Sequence, residues 1–293
     1  MRSMETAERA PLNILAGYDG SPSSANAIEV AARLAPSGYA TVVYLWAPPF
    51  ASPELRNRLV PRAGSMEQLI LLLEQEGGAE ADRLVGNGVA LARAAGWEAR
   101  SLVQRSYGGD GYQFARLVEQ HGGDLMVLGS RGLGGVRSLL GSISDVAVHV
   151  SAVPVLVVPH PLTINERAAV QSGPVLVATD GSPGGQHAGQ TAAALFPDRE
   201  LLRVTVESTA DADLVSTGST EAGLTVLPRA GRSGSARATA GTLLEHALDL
   251  GAAVLVVGSR GRSAGREVLL GSVAMAVLHH AHHPVLVVPA PKP

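Results

Sequence analysis

Three short motifs with chemical potential occur twice in this chain. Asp19-Gly20-Ser21 returns as Asp180-Gly181-Ser182. Gly129-Ser130-Arg131-Gly132 returns as Gly258-Ser259-Arg260-Gly261, and Gly141-Ser142 returns as Gly271-Ser272. Closely spaced glycines let backbone amides approach an anion, because no Cβ stands in the way. A Gly-Ser pair ahead of an apolar helical stretch offers a helix N-terminus, with free N–H groups and the positive end of the dipole. Its hydroxyl is placed to cap the helix or to donate to a phosphate oxygen. Asp-Gly-Ser is good turn chemistry on its own. Its recurrence points to a ligand role as well, towards a ribose, a base or a phosphate-bound metal. The chemistry indicated is phosphate binding, with Arg131 and Arg260 as the nearest cations.

Other chemistries fail on composition or spacing. The only Lys is Lys292, so no Walker A loop, kinase phosphate lysine or pyridoxal Schiff base can be built. With no Cys there are no disulfides, thiol catalysis or iron–sulfur clusters. Gly261-Arg262-Ser263-Ala264-Gly265 fits the pattern of a hydrolase elbow. Such an elbow turns directly from strand to helix. Ser263 lies well beyond Val257, and its counterpart in the first half is Gly134. His279, His280, His282 and His283 form a cluster without the Cys or carboxylate partners usual at zinc. A helix end, where imidazole suits the negative dipole terminus, accounts for them, so no metal ligand is assigned. No general base or nucleophile pair recurs in both halves. No catalytic residue is therefore assigned, and any hydrolysis is expected to be slow. A net charge of −3 and 3% aromatics argue against a nucleic-acid partner. No apolar run approaches the length of a membrane span, and residues 1–11 show no signal-peptide core. With Cys absent, these features fit a cytoplasmic protein.

The elements that must position these motifs follow from the repeat. A chain of 293 residues, 46% hydrophobic, suggests two domains. PVLVVP at 154–159 recurs at 284–289, and all the repeated blocks keep their order. Asp19 to Asp180 is 161 positions, whereas Gly129 to Gly258 is 129, so the second copy is 32 residues shorter between those blocks. A helix within 50–105 is expected to be lost or rebuilt there. The two domains are expected at 1–165 and 166–293, joined by a polar segment near 159–173. Short apolar runs at 14–18, 41–46, 125–128 and 155–158 read as strands buried on both faces, and a further strand run lies near 100–105. The second half has runs at 175–179, 201–206, 224–227, 254–257 and 285–288. Ala-rich stretches such as Ala25–Leu34 and Tyr112–His121 have helical spacing, and strand–helix alternation predicts an α/β fold. The expectation is two tandem doubly wound parallel-sheet domains, the second shortened. In strand order 3-2-1-4-5 the ends of the first and fourth strands are neighbours, so the repeated motifs face one crevice.

These residues resemble the universal stress protein family, specifically its tandem members. The family's ATP-binding signature is Gly, two residues, Gly, nine residues, Gly, then Ser or Thr. Gly258, Gly261, Gly271 and Ser272 match it, with Arg262–Leu270 between. Gly129, Gly132, Gly141 and Ser142 depart by one, since only Leu133–Leu140 intervene, so that loop is expected to close differently. The resemblance covers nearly the whole chain except about 50–95 and 208–222. It implies an adenine nucleotide α-hydrolase-like fold that binds ATP with Mg2+ without being a dedicated ATPase, as a stress-response sensor or regulator. It places the family's first-strand Asp on Asp19 and Asp180, and an adenine-contacting aliphatic on Leu45 and Val206. It also implies antiparallel pairing of Val155–Val158 with Val285–Val288. The halves would then form a pseudo-dimer, and two chains could associate as a homodimer.

Overall fold

The computed structural model describes residues 11–47, 53–130, 141–206, 223–228, 235–259 and 270–291. The first half runs β1 (Leu12–Gly17), α1 (Pro22–Leu34), β2 (Gly38–Trp46), α2 (Pro53–Leu59), a 3-10 turn (Val60–Arg62) and α3 (Met66–Ala94). It continues through β3 (Glu98–Arg105), α4 (Asp110–Gln120), β4 (Leu125–Gly129), α5 (Ser142–Val150) and β5 (Val155–Val158). After α6 (Ile164–Ser172) the second half runs β6 (Val175–Ala178), α7 (Pro183–Leu195), β7 (Leu201–Val206), β8 (Leu224–Leu227), α8 (Ala236–Leu250), β9 (Val254–Gly258), α9 (Ser272–His280) and β10 (Val285–Val288). Residues 207–223 make the connection that residues 47–97 make in the first half, which is where the second copy is short.

All ten strands form one sheet, in the order β3-β2-β1-β4-β5-β10-β9-β6-β7-β8. Each half therefore has the expected 3-2-1-4-5 order. Every pairing is parallel except one: β10 meets β5 antiparallel, with Val285 opposite Val157, Leu286 opposite Leu156 and Val287 opposite Val155. A lone half would end in an apolar edge strand with unpaired N–H and C=O groups, a template for aggregation. Here those two edges satisfy each other, and both strands are fully buried. The alternation of side chains then supplies two cores. Ile14, Val42, Val127, Leu156, Val177 and Leu286 face one side, under α1, α3, α6 and α7. Leu15, Val43, Met126, Val157, Leu176 and Val287 face the other, under α4, α5, α8 and α9. Both cores run through the junction between the halves.

The segment near 159–173, expected as a polar connection, contains α6. Thr163 and Glu166 explain the helix. The Thr163 hydroxyl accepts from the Glu166 N–H, and Glu166 accepts from the Thr163 N–H at 2.6 Å, a complete capping box. The opposite end of α6 is held by Arg199 of the second half. Its guanidinium donates to the carbonyls of Val170 (2.8 Å), Gly173 (3.1 Å) and Arg33 (3.2 Å). One cation thus closes the carboxyl ends of α6 and α1, where unpaired carbonyls and the helix dipoles favour positive charge. His283 is buried, and its Nε2 has no hydrogen-bond partner among the described residues. Burial pushes its pKa down to about 4; the Glu166 carboxylate opposes that shift and His282 adds to it.

Two outcomes follow. Arg199→Ala should lose about 1–3 kcal/mol of stability, read as a lower urea midpoint. Arg199→Lys should recover less than half of it, because a single ammonium cannot fork to three carbonyls. Between pH 6.5 and about 4 the unfolded chain takes up a proton at His283 that the folded chain refuses. Stability should therefore fall through that window, by about 3 kcal/mol from this group. His283→Leu should flatten that part of the profile in urea titrations at pH 7, 5.5 and 4.5.

Candidate functional site

The carboxyl ends of β1 and β4 lie side by side, as do those of β6 and β9, through parallel pairing. After β1, Asp19 Oδ1 accepts from the Ser21 N–H at 3.0 Å, Gly20 takes a φ of +81°, and the Ser21 hydroxyl caps α1 by accepting from Ser24 N–H. After β6 the same turn recurs. Asp180 Oδ1 accepts from Ser182 N–H at 3.0 Å, Gly181 has φ +75°, and Ser182 caps α7 through Gly185 N–H. A positive φ suits glycine and explains its place in both turns. Both aspartates thus perform the turn role, with one carboxylate oxygen engaged in it. Asp19 also acts on its neighbours: burial first, then its negative charge, raises the pKa of the Tyr18 and Tyr44 phenols above the usual 10.0. Glu80 adds to the effect at Tyr44.

The loops after β4 and β9 close on matching backbone bonds. Ser130 N–H donates to Val158 C=O at 2.8 Å, and Gly141 N–H donates to Ser130 C=O at 2.6 Å. Ser259 N–H donates to Val288 C=O at 2.7 Å, and Gly271 N–H donates to Ser259 C=O at 2.6 Å. The bases of the two loops are therefore bonded alike; the eight-residue and nine-residue stretches between them, where different closing was expected, lie outside the described residues. These bonds also mean that the amides of Ser130, Gly141, Ser259 and Gly271 hold the loops together rather than face a ligand.

The amides left over lie one step further on. Gly141 is the N-cap of α5 and Gly271 that of α9, and neither can cap with a side chain. By contrast α1, α3, α6, α7 and α8 are capped by Ser21, Ser65, Thr163, Ser182 and Ser235. The N–H groups of 142–144 and 272–274 consequently have no partner among the described residues. Ser142 and Ser272 occupy the first helical turn and are exposed. They are not the caps; the glycines before them are. The two termini differ in one charge. Asp145 stands in the first turn of α5, with a buried Oδ1 that has no hydrogen-bond partner, and Met275 takes that position in α9.

Leu45 and Val206, at the ends of β2 and β7, pack on the core face that carries α5 and α9. Asp19, Leu45, Gly129, Gly141 and Ser142 therefore gather at one sheet edge, and Asp180, Val206, Gly258, Gly271 and Ser272 at its counterpart. Arg131, Gly132, Arg260 and Gly261, and the Ser263 elbow pattern, lie outside the described residues. Two kinds of residue escaped the sequence reading. Ser130 and Ser259 anchor the loops, and Ser144 donates its hydroxyl to Gly129 C=O at 2.8 Å, tying α5 to the end of β4. The recurrence of the first two was the available signal. His279, His280 and His282 line a cavity of about 280 Å³ together with His160 and Ser130, between the halves. Among the described residues no three His, Asp or Glu side chains are arranged to hold a metal. No helix among them is long and apolar enough to cross a membrane.

Two copies of a doubly wound α/β unit, joined edge to edge in one sheet and each with a glycine-capped helix at its crevice, define a tandem α/β protein. Sequence comparison narrows the class. The model of the universal stress protein family matches residues 12–159 and 237–289, and the chain belongs to that family. Universal stress proteins of Mycobacterium tuberculosis and Mycobacterium bovis are 32% identical over 232 residues, covering 71% of this chain and 76% of theirs. The fold is shared with a crystal structure of a universal stress protein from Archaeoglobus fulgidus. It has a TM-score of 0.65 at 21% identity and covers 95% of this chain and 98% of that one. A Pseudomonas aeruginosa structure described as a universal stress protein gives 0.59 at 14% identity, over 96% and 94%.

Gly129 separates packing from binding. A Cβ built there would lie 2.6 Å from Ser23 Oγ and 2.8–2.9 Å from the Ser23 backbone in α1. Gly129→Ala should therefore destabilise the chain by about 1–3 kcal/mol without any ligand present. A melting temperature unchanged in nucleotide-free buffer would contradict this contact.

Proposed function

We propose that this chain binds ATP, with Mg2+, at the crevice of each half, and acts as a nucleotide-responsive regulator rather than a dedicated catalyst. The observation that carries the reading is the contrast in helix caps. Five helices spend a Ser or Thr on their first amides; α4 also begins on a glycine, Gly109, but at the marginal strand β3 and with Asp110 in its first turn, whereas α5 and α9 begin on glycine at the crevices and leave three N–H groups each without a partner among the described residues. Such a terminus suits a phosphate. Asp19 and Asp180 stand at the facing turns, towards the ribose, the base or the metal, and Leu45 and Val206 offer the apolar side for adenine. The Mg2+ would be held largely by the phosphates, with Asp19 and Asp180 the nearest protein carboxylates. Arg131, Arg260, Gly132 and Gly261 belong to the loops that would close over the phosphates. The domains that carry the two sites are taken as 1–165 and 166–293, and the setting as the cytoplasm. Membership of the family is consistent with this reading.

The halves are not equivalent. The second keeps the full glycine spacing and has Met275 where the first has Asp145, so no carboxylate competes with a phosphate at its helix terminus. The second site is the tighter one.

Isothermal titration with ATP and Mg2+ should show two binding steps of different affinity. Gly271→Val should abolish the tighter step; the backbone there, with φ −71° and ψ 153°, accepts a side chain without strain. Saturating nucleotide at a hundred times its dissociation constant should add about 2.7 kcal/mol of stability. A melting temperature indifferent to ATP, with no nucleotide released from the denatured protein, would leave an interaction module of the same fold.

A further inference from the structure

The histidines that crowd the end of α9 are joined in space by one from the other half. His160 follows β5, and with His279, His280 and His282 it lines the cavity of about 280 Å³ at the junction. The antiparallel ladder makes this convergence. It sets the carboxyl end of β5 beside the start of β10, where α9 delivers its last turn. Ser130, whose backbone closes the first glycine loop, lies at the same cavity. None of the described residues that line it is Asp, Glu, Lys or Arg.

These walls combine two chemistries. Pro159, Pro161, Leu278 and Val285 give an apolar seat, and the imidazoles give nitrogens of a kind that changes charge near neutral pH. His279 and His280 stand in the last turn of α9, and the carboxyl end of a helix favours cations. His279 Nε2 lies 3.1 Å from Met275 Sδ. The imidazoles of His160, His280 and His282 have no hydrogen-bond or ion-pair partner among the described residues. Behind them, buried His283 lies within electrostatic reach of His282 and of Glu166 on α6, whose carboxylate already accepts from the Thr163 N–H. A metal fits less well, because no three of the described His, Asp or Glu side chains are placed to ligate one. A cavity of about 150 Å³ is enough for benzene, so this one has room for a ring and a carboxylate.

We propose that the junction cavity is a binding site for a small carboxylate with a compact apolar body. The body sits on the prolines and Leu278, and the carboxylate is held by the imidazoles of His160, His280 and His282. Binding takes up protons, because an imidazole offsets the carboxylate only in its charged form. Affinity therefore rises as the pH falls through the ordinary imidazole range, near 6.5. Inorganic phosphate fits less well: it brings the charge but leaves the apolar seat wet. The walls come from both halves, so neither half makes the site alone. The proposal is independent of nucleotide binding at the crevices.

Isothermal titration of the full chain with benzoate should show one site per chain. Binding should be about fivefold tighter at pH 6.0 than at pH 7.5, as expected when a group of ordinary imidazole pKa must be charged. Titrations at pH 6.0 in two buffers of different ionisation heat should reveal the proton uptake. Benzamide, the uncharged counterpart, and inorganic phosphate should each bind at least tenfold more weakly than benzoate. His282→Gln, at an exposed position, should weaken benzoate at least fivefold at an unchanged melting temperature. His160→Leu should weaken it as well, and His121→Gln, at the end of α4, should leave it unchanged. Saturating ATP with Mg2+ should not displace benzoate. The proposal fails if benzoate does not bind at pH 6.0, if benzamide or phosphate binds as tightly, or if affinity is the same at both pH values. It fails equally if His282→Gln binds as the wild type does, if ATP competes, or if zinc alone binds at micromolar concentration and blocks benzoate, which would make the cluster a metal site.

Discussion

The structure depends on one short antiparallel ladder. Val285, Leu286 and Val287 meet Val157, Leu156 and Val155, and everything that makes the two halves one body follows from that contact. An α/β unit ending on a Val-Leu-Val-Val strand cannot expose that edge safely. Pairing it with its own copy removes both edges at once, leaving only β3 and β8 at the margins of the sheet. It also carries the two apolar faces across the junction, so each core is shared between the halves. The linker must then return the chain to the first strand of the second copy. Residues 160–174 do this through α6, closed at one end by its capping box and at the other by Arg199.

Polar bookkeeping at the crevices follows the same economy. Every helix start needs partners for its first amides. Ser and Thr meet that need in five helices, while a glycine without a side-chain cap starts α4 and the two helices that border the crevices. The loop-closing bonds from Gly141 and Gly271 fix where those open termini begin. A rigid frame surrounds the unpartnered amides: Ser130 and Ser259 are bonded to the last strands, and Ser144 is bonded to β4. Donors held in place by strands have little freedom left to lose, which is what the proposed phosphate site would draw on.

Much of this was legible in the sequence, for identifiable reasons. The central strands, buried on both faces, read as continuous apolar runs; all ten strands were located, though β3, β7 and β8 at the margins are only partly buried, and boundaries differ by a few residues where polar ends such as Asn13 and Glu98 extend them. Recurrence of whole blocks showed the duplication, whereas the antiparallel junction came from the resemblance to the family. The helix at 164–172 was missed because its signal is a local capping pair, Thr163 and Glu166, inside a segment that otherwise reads as a polar connection. The Arg199 contact was beyond reach, since its acceptors are carbonyls of residues 33, 170 and 173, which carry no side-chain signature. At the crevices, residue types were visible but amide accounting was not. The sequence shows Gly141-Ser142, not that the glycine is the cap and its own N–H is already taken.

Duplication explains why the halves have drifted apart without losing the shared sheet. The ladder between them fixes only the last strand of each copy, so the opposite margins were free to change. At those margins the first half keeps α2 and α3, and Gly88 of α3 packs against the Tyr18 ring. The second half makes the same crossing in residues 207–223. The residue at the position of Tyr18 is Thr179 and that of Tyr44 is Thr205. The charge at the helix termini changed as well, from Asp145 to Met275. None of these changes touches β5 or β10. The constraint that joins the copies therefore leaves the residues around each crevice free to change, and the asymmetry of the two halves follows from where the chain is, and is not, held.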